Sequence, residues 1–294
     1  MRLWNKSVLL AISGGLDSMC MLHRFAKLNT YAAYVNHGIR QDAVKDAELI
    51  KKKCEEYGVP FYELFIDPKI FGSNFEAVAR EARYNLLFEL KNKLNADFLA
   101  TAHHRDDQAE TVFLRIARGT GLKGLRGILP ERRDGVIRPM LELSKHDLLE
   151  YAKKNNIEWR EDPTNTSPEH FRNRVRLQIL PKMESSTVNS LARIAELSQR
   201  VYPKALKILD SYFNPFLVSP AEEVPVVLRH FYLPQGYGEL FRMWLGNKGI
   251  SWEATNEDAK LYEKLQKKGS FKFRLGKVYF ERKKEDFSIV TVDL

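Results

Sequence analysis

Five apolar residues, Val8-Leu9-Leu10-Ala11-Ile12, stop in Ser13-Gly14-Gly15-Leu16-Asp17-Ser18 and give way to Met19-Cys20-Met21-Leu22. A run this short and uniformly apolar suits a strand buried on both faces, and the residues after the loop have helical spacing. The loop is therefore expected between a strand end and a helix N-terminus. Free amides at a first helical turn, together with the positive end of the helix dipole, favour anions, and two glycines let phosphate oxygens approach the backbone. Ser13 and Ser18 can add hydroxyl donors. A Walker loop would end in Gly-Lys-Ser/Thr; here there is no such lysine, and Asp17 stands in the loop. A carboxylate beside a polyphosphate is tolerable mainly with a divalent cation between them, so Asp17 is expected to hold Mg²⁺. The plain alternative is a glycine-rich turn whose Asp and Ser cap the next helix.

Strand-like segments recur at residues 31–35, 61–66 and 97–102, alternating with helical patterns over 18–28, 42–57 and 74–94. This rhythm predicts an α/β fold with a mostly parallel sheet flanked by helices, in which ligands collect at the carboxyl ends of the strands. After the second strand comes Asn36-His37-Gly38-Ile39-Arg40, which can edge a nucleoside pocket or simply form a polar turn. Arg80 and Arg83 share a helix face, where Glu76 answers one of them at i,i+4 spacing. After the fourth strand, Asp107 and Glu110 lie three apart, so on a helix opening there they project from one face; acidic N-capping by Asp106 and Asp107 is the competing account. His103 and His104 have no cysteine or third histidine at ligand spacing nearby, which argues against a structural metal. Farther on, Ser144 is expected to start a helix with Asp147 completing a weakened capping box, and Arg172, Arg174 and Arg176 form a basic patch suited to a phosphate backbone or to a solvated helix face.

Ser-Gly-Gly-x-Asp-Ser after a first strand resembles the pyrophosphate loop of the N-type ATP pyrophosphatases, the Rossmann-like PP-loop superfamily. Within it, the ordered series Glu76-x-x-x-Arg80-x-x-Arg83-Tyr84, Asp106-Asp107-Gln108-x-Glu110-Thr111 continuing to Arg118-Gly119-Thr120-Gly121-Leu122-Lys123-Gly124, Glu161-Asp162-x-Thr164-Asn165 and Arg172-Asn173-x-x-Arg176 is similar to the tRNA(Ile)-lysidine synthetases over residues 8–180. The resemblance implies ATP and Mg²⁺ as cofactors, with Ser13, Gly14, Gly15, Leu16, Asp17, Ser18, His37 and Arg80 at the nucleotide. It implies Asp17, Asp107 and Glu110 in catalysis, and Arg83, Arg118, Arg172, Arg174 and Arg176 on RNA. The implied reaction joins free L-lysine to C2 of the wobble cytidine of a CAU-anticodon tRNA(Ile), releasing AMP and pyrophosphate. The alternatives are another thiolating or amidating tRNA-modifying member, or an RNA-binding protein with a decayed loop. Sulfur transfer in the superfamily relies on cysteine chemistry, and this chain has only Cys20 and Cys54, each among apolar or helical residues.

Lysine and arginine outnumber aspartate and glutamate by 47 to 38, a formal charge of +9 that suits a polyanionic partner and equally serves solubility. The N-terminus reads as lacking a signal peptide, no apolar run reaches membrane-spanning length, and two separated cysteines suit a reducing compartment, so a cytoplasmic protein without a membrane partner is expected. A helical pattern over 186–213 ends at Asn214-Pro215 and Ser219-Pro220. The expected division is thus 1–213, a PP-loop domain with a helical extension, and 214–294, a small α+β domain that contacts tRNA. Phe271, Phe273, Tyr279 and Phe280 at alternating strand positions are expected to be core rather than base-stacking platforms. A homodimer is among the oligomeric states such a chain can adopt.

Overall fold

The computed structural model describes residues 5–38, 43–67, 75–161, 171–218, 226–283 and 286–291. The elements run β1 (Val8–Ile12), α1 (Leu16–Phe25), β2 (Thr30–Asn36), α2 (Ala43–Tyr57), β3 (Phe61–Phe65), α3 (Phe75–Lys93), β4 (Phe98–Ala100), α4 (Arg105–Ala117), α5 (Leu122–Leu125), β5 (Val136–Ile137), α6 (Lys145–Lys154), α7 (Phe171–Arg174) and α8 (Ser185–Phe213). A π-helical turn, Val175–Ile179, continues α7. After α8 come β6 (Val226–Arg229), α9 (Gly238–Asn247), α10 (Asp258–Gln266), β7 (Phe271–Leu275), β8 (Val278–Lys283) and β9 (Asp286–Thr291).

The chain forms two compact units, Met1–Leu197 and Ser198–Leu294. The first holds a five-stranded parallel sheet in the order β3-β2-β1-β4-β5. Because side chains alternate along a strand, β1 feeds two cores. Val8, Leu10 and Ile12 pack with α1, α2 and α6, and Leu9 packs with α3 and Val136. Their near-complete burial explains why β1 reads as an unbroken apolar run. The expected parallel α/β sheet is therefore present, with one strand that periodicity does not reveal: β5 is two residues long, too short for any period.

The second unit carries an antiparallel sheet in the order β6-β9-β8-β7 together with α9 and α10. Its core contains Trp244, Phe241, Phe231 and Phe287, and also Leu209 and Phe213 from the end of α8. The compact units thus divide inside α8, earlier than the proline punctuation after Phe213 suggests, because the last turns of that helix pack with the second core. Phe280 is fully buried and Phe271 and Phe273 pack partly against this core, whereas Tyr279, next to Phe280 and paired with Arg274, falls outside it, so alternation admits three of the four aromatics expected there. Among the described residues no helix is long and apolar enough to cross a membrane.

Candidate active site

The strand order reverses direction between β1 and β4, and a crevice opens where strands on either side of such a point lead to helices on opposite faces. The loop after β1 and the loop after β4 both empty into it. Gly14 has φ +81°, a left-handed conformation that a side chain would strain, so glycine is required there for the turn itself. Gly15 has ordinary extended dihedrals and is the N-cap of α1 without a side-chain cap bond. Its lack of a side chain instead leaves the backbone open to the crevice. The Ser18 hydroxyl accepts from the Ser13 amide at 3.1 Å and donates to the Gly15 carbonyl at 3.0 Å, so it closes the loop on itself. Asp17, although in the first turn, turns its carboxylate away from the α1 amides: Lys145 Nζ donates to Oδ1 at 2.7 Å, and His104 Nε2 lies 3.6 Å from Oδ2. The simple helix-capping account of Asp17 is therefore not the arrangement found.

Helix α4 starts at a histidine. His104 is the N-cap, its Nδ1 accepting from the Asp106 amide at 3.2 Å, while Asp107 Oδ2 accepts from the His104 amide at 3.0 Å. With Nδ1 accepting, the ring proton of neutral His104 sits on Nε2 and faces the carboxylates of Asp17 and Asp107. Burial lowers the His104 pKa, but the hydrogen bond that the protonated ring makes to the Asp106 carboxylate, 3.5 Å from Nδ1, and the charges of Asp107 and Asp17 outweigh it, and the net shift is upward. Beside it, burial drives His103 down to about 4, so it is neutral at physiological pH.

Asp107 and Glu110 do share one face, and both are buried; the Glu110 side chain is only 1% exposed. Arg176 bridges them, Nε donating to Glu110 Oε2 at 2.8 Å and Nη2 to Asp107 Oδ1, and Arg172 Nε donates to Glu110 Oε1. Burial favours the neutral acid at Asp107, yet the charges of His104 and Arg176 prevail and hold its carboxyl below the usual range. Arg172 and Arg176 are thus not a free basic face. Spacing of four along α7 and its π-helical continuation carries both guanidiniums to one acidic wall. Arg174 projects apart from them, exposed, over the Phe171 ring at 5.7 Å.

Two cavities meet at this wall. One of about 580 Å³ is lined by the ends of β1 and β2, with Ser13, Gly15, His37 and Arg83 on its surface. The other, of about 740 Å³, runs between the loop, α4 and α6, and has Glu110, Lys145, Trp159 and Leu177 on its surface. Asp17, Asp107 and Arg176 border both. Of the α3 arginines, Arg83 faces the smaller cavity, whereas Arg80 is exposed and lies over Tyr84 at 5.4 Å. Arg118 is the exposed C-cap of α4. His37 is pushed below its ordinary value first by burial and then by the Arg83 charge.

Four participants carried no signal in the sequence. Lys145 is the first residue of α6, whose start is fixed by a full capping box between Ser144 and Asp147, stronger than the weakened box expected. His104 reads as half of a histidine pair. Asp46 and Arg160 are far apart in the chain but paired at 2.7 Å, while the Arg160 amide donates to the Gly14 carbonyl at 3.0 Å and braces the loop from behind. Glu161 lines the larger cavity. The rest of that motif, through Asn165, and Ile39-Arg40 lie outside the described residues. Both cysteines are free and buried, and burial pushes Cys20 up to about 11 and Cys54 up to about 12, so both stay as thiols at neutral pH.

A family model described as the PP-loop domain matches residues 3–183. The tRNA(Ile)-lysidine synthase of Clostridioides difficile (strain 630) is 40% identical over 203 residues, covering 64% of this chain and 44% of that protein. That of Clostridium tetani (strain Massachusetts / E88) is 38% identical over 190 residues, covering 61% and 41%. The chain thus spans less than half the length of these two curated relatives. Among solved structures, the U34-tRNA thiolase NcsA from Methanococcus maripaludis, determined with its [4Fe-4S] cluster, aligns with a TM-score of 0.56 at 23% identity, over 67% of this chain and 73% of that one. This last likeness is one of fold.

Proposed function

We propose, from the premise that the chain belongs to the PP-loop domain family, that it uses ATP to join free L-lysine to C2 of the wobble cytidine of a CAU-anticodon tRNA(Ile). The observation that carries this reading is the convergence of the loop aspartate Asp17 with Asp107, both shared by the two cavities, and with Glu110 on the larger one. The smaller cavity takes the adenosine, with His37 and Arg83 at its edge, and the larger takes the cytosine and the lysine side chain. Cytosine O2 attacks the α-phosphorus, the bond to the bridging oxygen breaks, and pyrophosphate leaves toward the open amides of the loop. The neutral lysine amine then attacks C2, and O2 departs with AMP.

Mg²⁺ fits the residues present. No group of three or more His, Cys, Asp or Glu among the described residues could hold a metal unaided, so the ion would take Asp17 plus phosphate oxygens and water, a ligand set this cation favours. When bound it supplies charge neutralisation of the phosphates. Lysine arrives as an ammonium with a pKa of about 10.4 and must shed a proton to attack. Asp107 and Glu110 draw the ammonium in, and one of them receives that proton; since a carboxylate also raises the amine pKa, it helps only by accepting. Both acids are paired with Arg172 and Arg176, so the ammonium binds by exchange, the arginines passing to RNA phosphates. An anticodon loop offers its base at less unstacking cost than a duplex. Two buried thiols give no support to sulfur transfer.

The test is incubation with ATP, labelled lysine and CAU-anticodon tRNA, scored as label that survives base treatment able to remove aminoacyl esters. RNA-dependent AMP and pyrophosphate should accompany it. ADP as the RNA-dependent product, or no base-stable label, overturns the proposal.

A further inference from the structure

The loop after β1 has no lysine, yet the fold delivers one to it. Lys145 Nζ stands 2.7 Å from Asp17 Oδ1, from a position 128 residues farther along the chain. We propose that Lys145 is a catalytic residue that contacts the α-phosphoryl group of ATP, its ammonium passing from the Asp17 carboxylate to phosphate when the nucleotide binds. The inference rests only on the ATP-binding part of the function proposed above.

Its placement is built rather than incidental. The Ser144–Asp147 capping box fixes the turn on which Lys145 sits, and the Lys145 amide donates to Asp106 Oδ2 at 2.8 Å. The backbone of Lys145 is thus tied to the start of α4 while its side chain crosses to the loop of β1, so one residue joins the two loops that form the site. The side chain itself stays 49% exposed on the wall of the larger cavity, free to change partner. A surface pair of this kind contributes little to stability and is cheap to exchange. The electrostatic need is plain: ATP brings several negative charges next to Asp17, Asp106 and Asp107, and a mobile ammonium already at Asp17 is well placed to answer them. The lysine faces the larger cavity and is absent from the lining of the smaller one. It therefore approaches the phosphorus attacked by the acceptor base rather than the departing pyrophosphate. During that attack the O2–phosphorus bond forms and the phosphorus–bridging oxygen bond breaks, the electron pair leaving on pyrophosphate. Lys145 only donates hydrogen bonds and transfers nothing.

The pairing with Asp17 gives the test a sign. Without metal, Asp17 repels ATP and competes for the lysine; removing the lysine should weaken ATP, and removing the carboxylate should tighten it. Calorimetric titrations in EDTA should show Lys145→Met binding ATP and AMP at least about tenfold more weakly than the parent, with pyrophosphate affected less, and Lys145→Arg retaining most of the affinity. Asp17→Asn should move ATP affinity in the opposite direction. Melting temperature reports a structural role separately. Parental ATP affinity in Lys145→Met overturns the inference and leaves the lysidine reading standing. So does a weakened ATP affinity accompanied by a fall in melting temperature that Lys145→Arg does not rescue. A parent protein that does not bind ATP overturns both, whereas one that binds ATP as described but incorporates no lysine overturns only the function proposed above.

Discussion

Glu110→Gln separates two jobs that one side chain performs. Glu110 is almost completely buried and accepts from Arg172 and Arg176, whose own side chains are 50% and 44% exposed. Cutting a fully buried ion pair costs about 3–5 kcal/mol because a charge is stranded. Here the stranded guanidiniums can turn to water, and glutamine keeps one acceptor, so the loss should approach that of one charge-assisted hydrogen bond, about 2 kcal/mol. At about 2–4 °C per kcal/mol for a unit of this size, the melting transition of the first unit should fall by ~4–8 °C. Calorimetry on the full chain measures it. Because the same carboxylate is proposed to receive the lysine ammonium, lysine-dependent turnover should require a higher lysine concentration, with tRNA affinity little changed. Arg172→Met supplies the opposite sign: it vacates Glu110 Oε1, so the lysine requirement should fall while tRNA binding weakens. Refutation would be an unchanged melting temperature in Glu110→Gln, which denies the buried pairing, or parental lysine kinetics in both Glu110→Gln and Asp107→Asn, which moves the amine site elsewhere.

The other expectations concern metal, acid and RNA. Asp17→Asn should impair ATP turnover in a manner tied to Mg²⁺, with the variant gaining less from added metal than the parent; an identical Mg²⁺ titration would refute the bridging role. His103, held near 4 by burial against an ordinary 6.5, is neutral in the fold, so its contribution to stability is complete above pH 6.5 and is lost as pH falls toward 4. His104 has the opposite sign: its pKa is raised, and its contribution is present below pH 6.5 and disappears as pH rises through the folded value. Melting curves from pH 4 to 7 should accordingly show a shallower acid loss in His103→Asn, and parallel curves for variant and parent would count against it. In the second unit, Lys268→Ala with Arg274→Ala should lower the slope of log affinity for tRNA against log salt by about 1–2, since both are exposed; an unchanged slope removes them from the RNA interface. Arg282→Met should destabilise that unit by about 3 kcal/mol or more, because the buried guanidinium donates to the carbonyls of Lys267 at 2.6 Å and Phe231 at 2.8 Å, and both would lose their donor.

What the sequence displays is what local physics writes into it. The β1 loop and the start of α6 are legible because a buried strand, a left-handed glycine and a capping box are each set by neighbouring residues. The acidic pair is legible for the same reason, since spacing on one helix decides which face it occupies. The strands that escape such reading are short: β5 has two residues, and β6, four residues long, pairs with β9 nearly sixty positions later, so neither offers enough residues for a period to emerge. The arginines are visible as residues but not as partners. Spacing places Arg172 and Arg176 together, while their destination on Glu110 depends on a contact more than sixty residues away in the chain.

The same long-range contacts account for how a wall so rich in carboxylates is neutralised. Asp17 is met by Lys145, Asp46 by Arg160, and Asp107 and Glu110 by Arg176, with Arg172 added at Glu110. All four cations come from residues 145–176, a stretch that lies beyond the last strand of the parallel sheet. That stretch therefore neutralises the acids carried by the N-terminal parts of α1, α2 and α4, and it does so with long side chains of which three are at least 44% exposed. In the function proposed above, anionic nucleotide and RNA would compete for these cations, and an ammonium would compete for the acids they leave. Each ligand thereby alters the charge that the next one meets. If the exchange proposed at Lys145 and at Arg172 operates, ATP and RNA should each increase the apparent affinity for lysine, and lysine should increase theirs by the same factor, since coupling between binding equilibria is reciprocal. Titrating lysine with a non-hydrolysable ATP analogue present or absent, and with tRNA present or absent, measures that factor. A value of one in both cases would mean that these ion pairs are not those that ligands break.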